Sequence, residues 1–151
     1  MSVMTTVDLL NFLITGSLGP LHLGLDRATI VHLLGEPDGT LVSSRTVETI
    51  RYGNVQLQLT KEQVVLISLD FAPQPPGSKQ VFEYVPWSPT SSVSKEDFER
   101  AVSHQEIEFT IDTATTYGSF LTLRASRSGT HVAFNEGLLE SIYISVSTGN
   151  S

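Results

Sequence analysis

The sequence contains no cysteine, so disulfide bridges, thiolate metal sites and a cysteine nucleophile are all excluded. Basic residues are also scarce. Nine Lys and Arg stand against sixteen Asp and Glu, which gives a formal net charge of −7. Such a chain repels the phosphate backbone that a nucleic-acid-binding protein must neutralise, so DNA and RNA are not expected partners. A chain without cysteine is typical of the cytoplasm, which is the expected localisation.

Long apolar runs are missing as well. The opening stretch MSVMTTVDLLNFLITGSLG lacks a cationic start and carries Asp8 inside its apolar part. It is too short to span a bilayer and does not have the pattern of a signal peptide. We therefore expect no membrane association. A chain of 151 residues is long enough for one domain with a sizeable core.

Apolar periodicity and capping residues predict three short helices. The first lies within VDLLNFLIT and ends before Gly16, which can adopt the left-handed conformation of a helix cap. The second runs from about Arg27 to Leu34 and begins after the N-cap residue Asp26. The third begins in SKED, residues 94–97, whose Ser and Asp have the spacing of a capping box.

The second helix leads into Gly-Glu-Pro-Asp-Gly, residues 35–39, which we call the corner. Gly35 can take the positive φ that closes a helix, and Pro37 cannot continue one. The corner is therefore predicted to stop the helix and turn the chain rather than to take part in catalysis.

Strand-like runs follow the second and third helices. VETIRYG, VQLQLTK and QVVLISLDF follow the corner, and FTIDTATTYG, SFLTLRAS, GTHVAFN and LLESIYISV follow the third helix. VQLQLTK alternates apolar and polar residues, as in a sheet with one packed and one exposed face. VFEYVPW adds a short edge strand, because Pro86 suits only an edge. These runs predict an α+β domain with one largely antiparallel sheet and short helices on one face.

The two halves of the chain show the same order of elements. Leu57 aligns with Val132 at an offset of 75 residues, whereas the helices align at an offset of 68. This predicts a single domain, residues 1–151, built from two tandem repeats at about 24–71 and about 93–146. A Pro/Gly-rich connector, residues 72–92, joins them. Chance agreement between two amphipathic hairpins is the alternative and stays open.

One parity on each strand and one stripe on each helix predict the core. The predicted core residues are Leu33, Leu34, Leu57, Leu59, Ile67, Leu69, Phe98, Val132, Phe134, Ile142 and Ile144. Tyr84 and Trp87, which lie beside prolines, either cover the edge of this core or anchor a partner.

The run GLDRATIVHLLGEPD followed by IRYGNVQLQLTKEQVVLISLDF resembles the helix-turn-sheet unit of the SmpA/OmlA outer-membrane assembly lipoproteins. In that unit a Gly-led helix ends in Leu-Gly-x-Pro before a meander. A tandem pair of such units resembles the beta-lactamase inhibitory proteins, in which a curved sheet holds a partner protein. FLITGSLGPLHLGLDRATIVHLLGEPD is also similar to bacterial proteins of the polymorphic-toxin immunity type. The resemblance covers mainly residues 12–71 and implies the fold, with function following by analogy.

No residue pattern in the sequence indicates a reaction. The four histidines lack ligand spacing, the glycine clusters lack a P-loop lysine, and no G-x-S-x-G is present. Glu96 or Asp97 could converge with Glu108 or Asp112 as a carboxylate pair, but helix capping and solvation explain these residues more simply. We expect no catalytic residue, no cofactor and no metal.

Strand alternation predicts a binding surface, because the residues between core positions must point to the other face of the sheet. The candidate protein-binding residues are Gln56, Gln58, Asp70, His131 and Tyr143, with Arg51 and Arg124 at the margin. This predicts a non-enzymatic protein-binding module, most concretely an immunity-type inhibitor of a bacterial toxin with a basic partner. One alternative is a small-molecule-binding or hydrolytic domain that uses the sheet concavity as a pocket. Another is binding through loops such as residues 72–92, and the homo-oligomeric state is left open.

Overall fold

The computed structural model describes residues 5–146, in which short helices pack on one face of an eight-stranded sheet. The predicted α+β class is therefore confirmed. The helices are α1 (Leu9–Thr15), α2 (Arg27–Leu34) and α3 (Lys95–Val102). The strands are β1 (Thr5–Asp8), β2 (Gly39–Val42), β3 (Val47–Tyr52), β4 (Val55–Thr60), β5 (Gln63–Asp70), β6 (Phe82–Val85), β7 (Phe109–Ile111), β8 (Phe120–Ala125), β9 (His131–Asn135) and β10 (Leu138–Ser145).

The eight-stranded sheet has the order β2-β3-β4-β5-β10-β9-β8-β7, and every neighbouring pair is antiparallel. Two four-stranded meanders therefore meet at a seam between β5 and β10. At this seam Ser68 lies opposite Tyr143, and Ile67 lies opposite Ile144. The sequence did not predict β2, because its four residues, GTLV, are too few to show an alternation.

A separate two-stranded ribbon joins β1 to β6 in parallel. Val7 and Asp8 were predicted to be helical, and this was wrong because Asp8 is the N-cap of α1. Its carboxylate accepts a hydrogen bond from the Leu10 N–H at 2.9 Å. The run VFEYVPW does contain a strand, but that strand pairs with β1 and not with the main sheet.

The predicted caps of the helices are confirmed. The Asp26 carboxylate accepts from the Thr29 N–H at 2.8 Å at the start of α2. At α3 the Ser94 hydroxyl accepts from the Asp97 N–H at 3.0 Å, and Asp97 accepts from Ser94 in return. Gly16 closes α1 with a φ of +80°. These bonds satisfy amides that have no partner within the helix.

The corner ends α2 as predicted. Gly35 has a φ of +83° and a ψ of −164°, a combination that is essentially restricted to glycine, and its N–H donates to the Val31 carbonyl at 2.7 Å. Its own carbonyl accepts from the Tyr52 hydroxyl at 2.7 Å. The corner is thus fixed to the end of β3 as well as to α2.

The corner also binds the connector. The Asp38 carboxylate oxygen Oδ2 accepts from the Gly53 N–H at 2.7 Å and from the Lys79 N–H at 2.8 Å. The Lys79 ammonium donates to the Glu36 carbonyl. Residues 36 and 38 therefore tie the β3–β4 turn and the connector together, which is a structural role beyond stopping the helix.

The core lies between the sheet and the helices, and most of the predicted core residues are buried in it. The buried ones are Leu57, Leu59, Ile67, Leu69, Phe98, Val132, Phe134, Ile142 and Ile144. Leu34 is half-buried. The prediction for Leu33 was wrong, since it is 46% exposed. Leu33 and Leu34 lie on opposite sides of the buried Ile30 around the helix, and α2 packs through the side that carries Leu34.

Trp87 covers the edge of the core. Its ring stacks on Phe98 with the centroids 5.8 Å apart, and Phe98 in turn meets Phe134 at 5.3 Å. Tyr84 packs edge-on against Phe82 at 6.2 Å, and burial raises the pKa of its phenol. Within residues 5–146, no helix is long and apolar enough to cross a membrane.

Candidate functional site

The sheet face opposite the helices, which we call the open face, carries the predicted site residues. Gln56, Gln58 and Asp70 are half-buried, whereas the residues between them in β4 and β5 are buried against the helices. His131 and Tyr143 are half-buried in the same way on β9 and β10. The alternation expected from the sequence therefore places all five on the open face.

Six residues of the open face lie side by side across six strands, and we call them the central row. Each residue is directly opposite the next, in the order Arg51, Gln56, Ser68, Tyr143, His131 and Arg124. At ~4.8 Å per strand, the row spans about 24 Å. Gln58 and Asp70 lie in the rows on either side of it.

Apolar side chains also reach the open face. The pairing of β4 with β5 shifts after Gln58, so that Gln58 lies opposite Leu66 while Leu59 lies opposite Val64. Leu66 therefore shares the open face with the glutamines and is half-buried. Leu41, at the sheet edge on β2, is 65% exposed.

The segment from Asp112 to Gly118, which we call the flap, lies over part of the open face. It was predicted to continue a strand, and this was wrong because its side chains bond to the neighbouring backbone instead. The Thr116 hydroxyl accepts from the Thr122 N–H at 3.0 Å, and the Thr122 hydroxyl donates to the Thr115 carbonyl at 3.3 Å. Thr122, which pairs with Ala133 on the open-face parity, is consequently only 3% exposed.

His131 connects the flap to the central row. Its ring stacks on Tyr143 with centroids 4.9 Å apart and an angle of 3° between the planes. Its Nε2 lies 3.2 Å from a carboxylate oxygen of Asp112. Its Nδ1 is buried and has no hydrogen-bond partner among the described residues.

The electrostatic environment keeps His131 neutral. Burial lowers the pKa of the imidazole, the Asp112 carboxylate opposes this shift, and the Arg124 guanidinium adds to it. Burial also raises the pKa of the Tyr143 phenol. Since Nε2 faces Asp112 and Nδ1 is buried, neither ring nitrogen is placed to take a proton from a substrate.

Asp70 provides the acidic group on the other side of the seam. The Ser68 hydroxyl donates to its carboxylate at 3.0 Å. Burial raises the pKa of Asp70, while this hydrogen bond and the charge of Arg51 oppose the shift. The central row is thus flanked by Asp70 near β5 and by Asp112 near β9.

The largest cavity lies away from the open face. It has a volume of about 750 Å³ and opens between α1, the loop before β7 and the β8–β9 turn. A cavity of about 490 Å³ reaches Arg124 and His131 at the ends of β8 and β10. In the part of the chain that the structure describes, no three His, Asp or Glu side chains are grouped to hold a metal ion.

Strand parity brought together Arg51, Gln56, Tyr143, His131 and Arg124, but it missed the flap. The segment DTATT contains no apolar alternation, and its only signal is the tendency of Asp and Thr to bond to nearby backbone.

No protein-family model, curated protein or solved structure matches this chain. A functional proposal therefore rests on the geometry of the chain itself.

Proposed function

We propose that this chain is a non-enzymatic protein-binding module and that its binding surface is the open face. The central row is the observation that carries the proposal. It places two arginines about 24 Å apart, at its two ends, with an aromatic residue at the seam between them. Arginine and aromatic residues are enriched in protein interfaces, and a surface of this width suits the roughly 800 Å² that each partner contributes to a typical interface.

Tyr143 is the proposed anchor. Its ring is held by the stacked ring of His131, so little side-chain freedom remains to be lost when a partner binds. His131 is held in turn by Asp112 of the flap. A rigid tyrosine with a polar tip is typical of residues that dominate binding energy.

The geometry of His131 supports binding rather than catalysis. A general base needs a free ring nitrogen within hydrogen-bond reach of a substrate proton. One nitrogen of His131 faces Asp112 and the other is buried. In this proposal the histidine supports Tyr143 and does not transfer protons.

The charge distribution suggests what the partner looks like. The net charge of −7 attracts a basic protein over long distances and speeds encounter. Arg51 and Arg124 then require hydrogen-bond acceptors opposite them at the contact itself. An immunity-type inhibitor acting on a bacterial toxin in the cytoplasm is the most concrete form of this proposal. The resemblance to SmpA/OmlA-like tandem domains is part of the same proposal.

We further propose that the two halves are tandem copies. The β4–β5 and β9–β10 hairpins share the same pairings and the same register shift, at a constant offset of 75 residues. The Arg27 N–H donates to the Glu62 carbonyl at 2.9 Å, and the Lys95 N–H donates to the Gly137 carbonyl at 2.9 Å. Matching helix-to-hairpin bonds of this kind favour duplication over chance.

The test begins with affinity capture of a partner on the full chain and measurement of its affinity. Tyr143→Ala is expected to weaken binding about 30-fold, which corresponds to roughly 2 kcal/mol. Gln56→Ala and Arg51→Ala should weaken it less. Leu33→Ala is the matched control, because Leu33 is also exposed but lies on α2, on the other side of the sheet.

Two results would count against the open face. Unchanged affinity in Asp70→Ala, His131→Ala and Tyr143→Ala, with unchanged melting temperatures, would move the binding site elsewhere. Turnover of a small molecule that is lost on His131→Gln would show that the chain is an enzyme.

A further inference from the structure

The edge strand β2 presents free backbone groups to solvent. The Ser43 N–H donates to the Val47 carbonyl at 3.0 Å, so Ser43 and Val47 form a hydrogen-bonded pair. Hydrogen-bonded pairs alternate along an antiparallel ladder, so Leu41 and Gly39 also point their backbone groups at β3. The N–H and C=O groups of Thr40 and Val42 must therefore point outward, where β2 has no neighbouring strand.

This edge lacks the usual protection against pairing. Leu41 and Val42 are each 65% exposed, and Gly39–Val42 contains no proline and no charged residue. The opposite edge, β7, has only three residues, and Glu108 and Asp112 flank it. The two edges of the sheet are therefore unequal, and β2 is the one that is ready to pair.

We propose that β2 pairs antiparallel with β2 of a second copy of this chain. The outward groups fix the register. Thr40 lies opposite Val42 of the second copy, both pairs form hydrogen bonds, and Leu41 lies opposite Leu41 of the second copy in the closer, non-hydrogen-bonded pair between them. The pairing is two-fold symmetric, so it uses up both edges and closes at the dimer.

Charge complementarity supports this arrangement. Glu36 and Asp38 precede β2 and Arg45 follows it. An antiparallel pairing brings the Arg45 end of each copy alongside the acidic end of the other. Pairing of β2 with β7 of another copy would instead leave one edge of each kind free and build an open-ended polymer.

The dimer would have one continuous sheet of sixteen strands, twice the eight of a single chain. The two open faces then lie on the same side of one sheet, and both central rows remain uncovered. The dimer does not depend on the function proposed above, since the open face takes no part in the backbone pairing.

The test is sedimentation velocity over a concentration series of the full chain. Two four-residue edges form a small contact, so the expected dimer is weak and its fraction rises with concentration towards twice the 16.5 kDa of one chain. Thr40→Pro removes an outward N–H without touching the ladder to β3, and it should abolish the dimer. Ile111→Lys on the opposite edge is the matched control, because Ile111 is 58% exposed, and it should leave the dimer intact.

A second variant and a direct contact complete the test. Leu41→Lys places like charges opposite each other and should also give a monomer, which covers the case in which Thr40→Pro fails to fold. Mixing labelled and unlabelled chains should give a nuclear Overhauser effect between the Leu41 Hα atoms of the two copies. A monomer at every concentration, a polymer, or a dimer that survives both variants would overturn the proposal. Capture of a strand from another protein by β2, with no self-association, would do the same.

Discussion

Replacing Gly53 with alanine is expected to loosen the connector from the β3–β4 turn. Gly53 has a φ of +59°, and a Cβ atom added there would lie 2.1 Å from the carbonyl oxygen of Lys79. No real Cβ contact is that short, and the obstacle is backbone rather than a flexible side chain. The connector must therefore move away, and its hydrogen bond from the Lys79 N–H to Asp38 is lost with it.

The expected cost has two parts. Placing alanine in the left-handed region costs about 1–2 kcal/mol. The lost hydrogen bond to Asp38 adds about 1 kcal/mol, since that carboxylate is exposed. Gly137→Ala isolates the first part, because Gly137 has a φ of +79° and a Cβ there would meet nothing within 4 Å. Gly53→Ala should therefore lose about 1 kcal/mol more than Gly137→Ala.

Urea denaturation followed by circular dichroism measures both variants, and unchanged slopes would show that the denatured state is comparable. The amide resonance of Lys79 should shift in Gly53→Ala but not in Gly137→Ala. Equal losses of stability in the two variants, with the Lys79 resonance unmoved, would refute the close approach of connector and turn.

Three further predictions use the same measurement. Glu62 has a φ of +66° without being glycine, so Glu62→Gly should raise the free energy of unfolding by about 1 kcal/mol, and a loss would contradict the strain. Burial lowers the folded-state pKa of His131, so the unfolded chain binds that proton first and stability falls as the pH drops below about 6.5. His131→Gln should flatten this slope, and identical slopes would remove His131 as its cause. Phe98→Ala should cost about 3–5 kcal/mol while Leu33→Ala costs less than about 0.5, and similar values at both sites would show that α2 and α3 pack differently.

Local chemistry explains why much of the fold could be predicted from the sequence. The caps at Asp26 and Ser94, and the closing glycines at positions 16 and 35, act within a few residues of themselves, so their pattern is complete in the sequence. The alternation of VQLQLTK likewise reports one buried and one open face directly.

The parts that were missed depend on contacts distant in the sequence. β1 forms only because β6 lies beside it, and a window on residues 5–8 shows an apolar helix-like run instead. β2 is exposed on both faces, so it has no alternation to read. Leu33 satisfies the helical spacing, but the choice between the two sides of Ile30 is made by the sheet beneath α2.

The candidate site was predictable in its facing but not in its surroundings. Parity places Gln56, His131 and Tyr143 on one face, whatever the strand order. Their alignment in one row follows from the seam, where Ser68 meets Tyr143, and no local pattern specifies that register. The pairing of His131 with Asp112 depends on a loop that folds back across two strands.

The seam between β5 and β10 also sets a time during synthesis. β10 begins at Leu138, 68 residues after β5 ends at Asp70 (138 − 70). At ~5–20 residues per second, the ribosome needs about 3–14 s to make that stretch. Throughout this interval β5, a central strand of the finished sheet, is an unpaired edge on a half-built molecule. Its exposed ladder can template pairing with another nascent chain, so the yield of folded protein should depend on translation speed and on chaperones that shield β5.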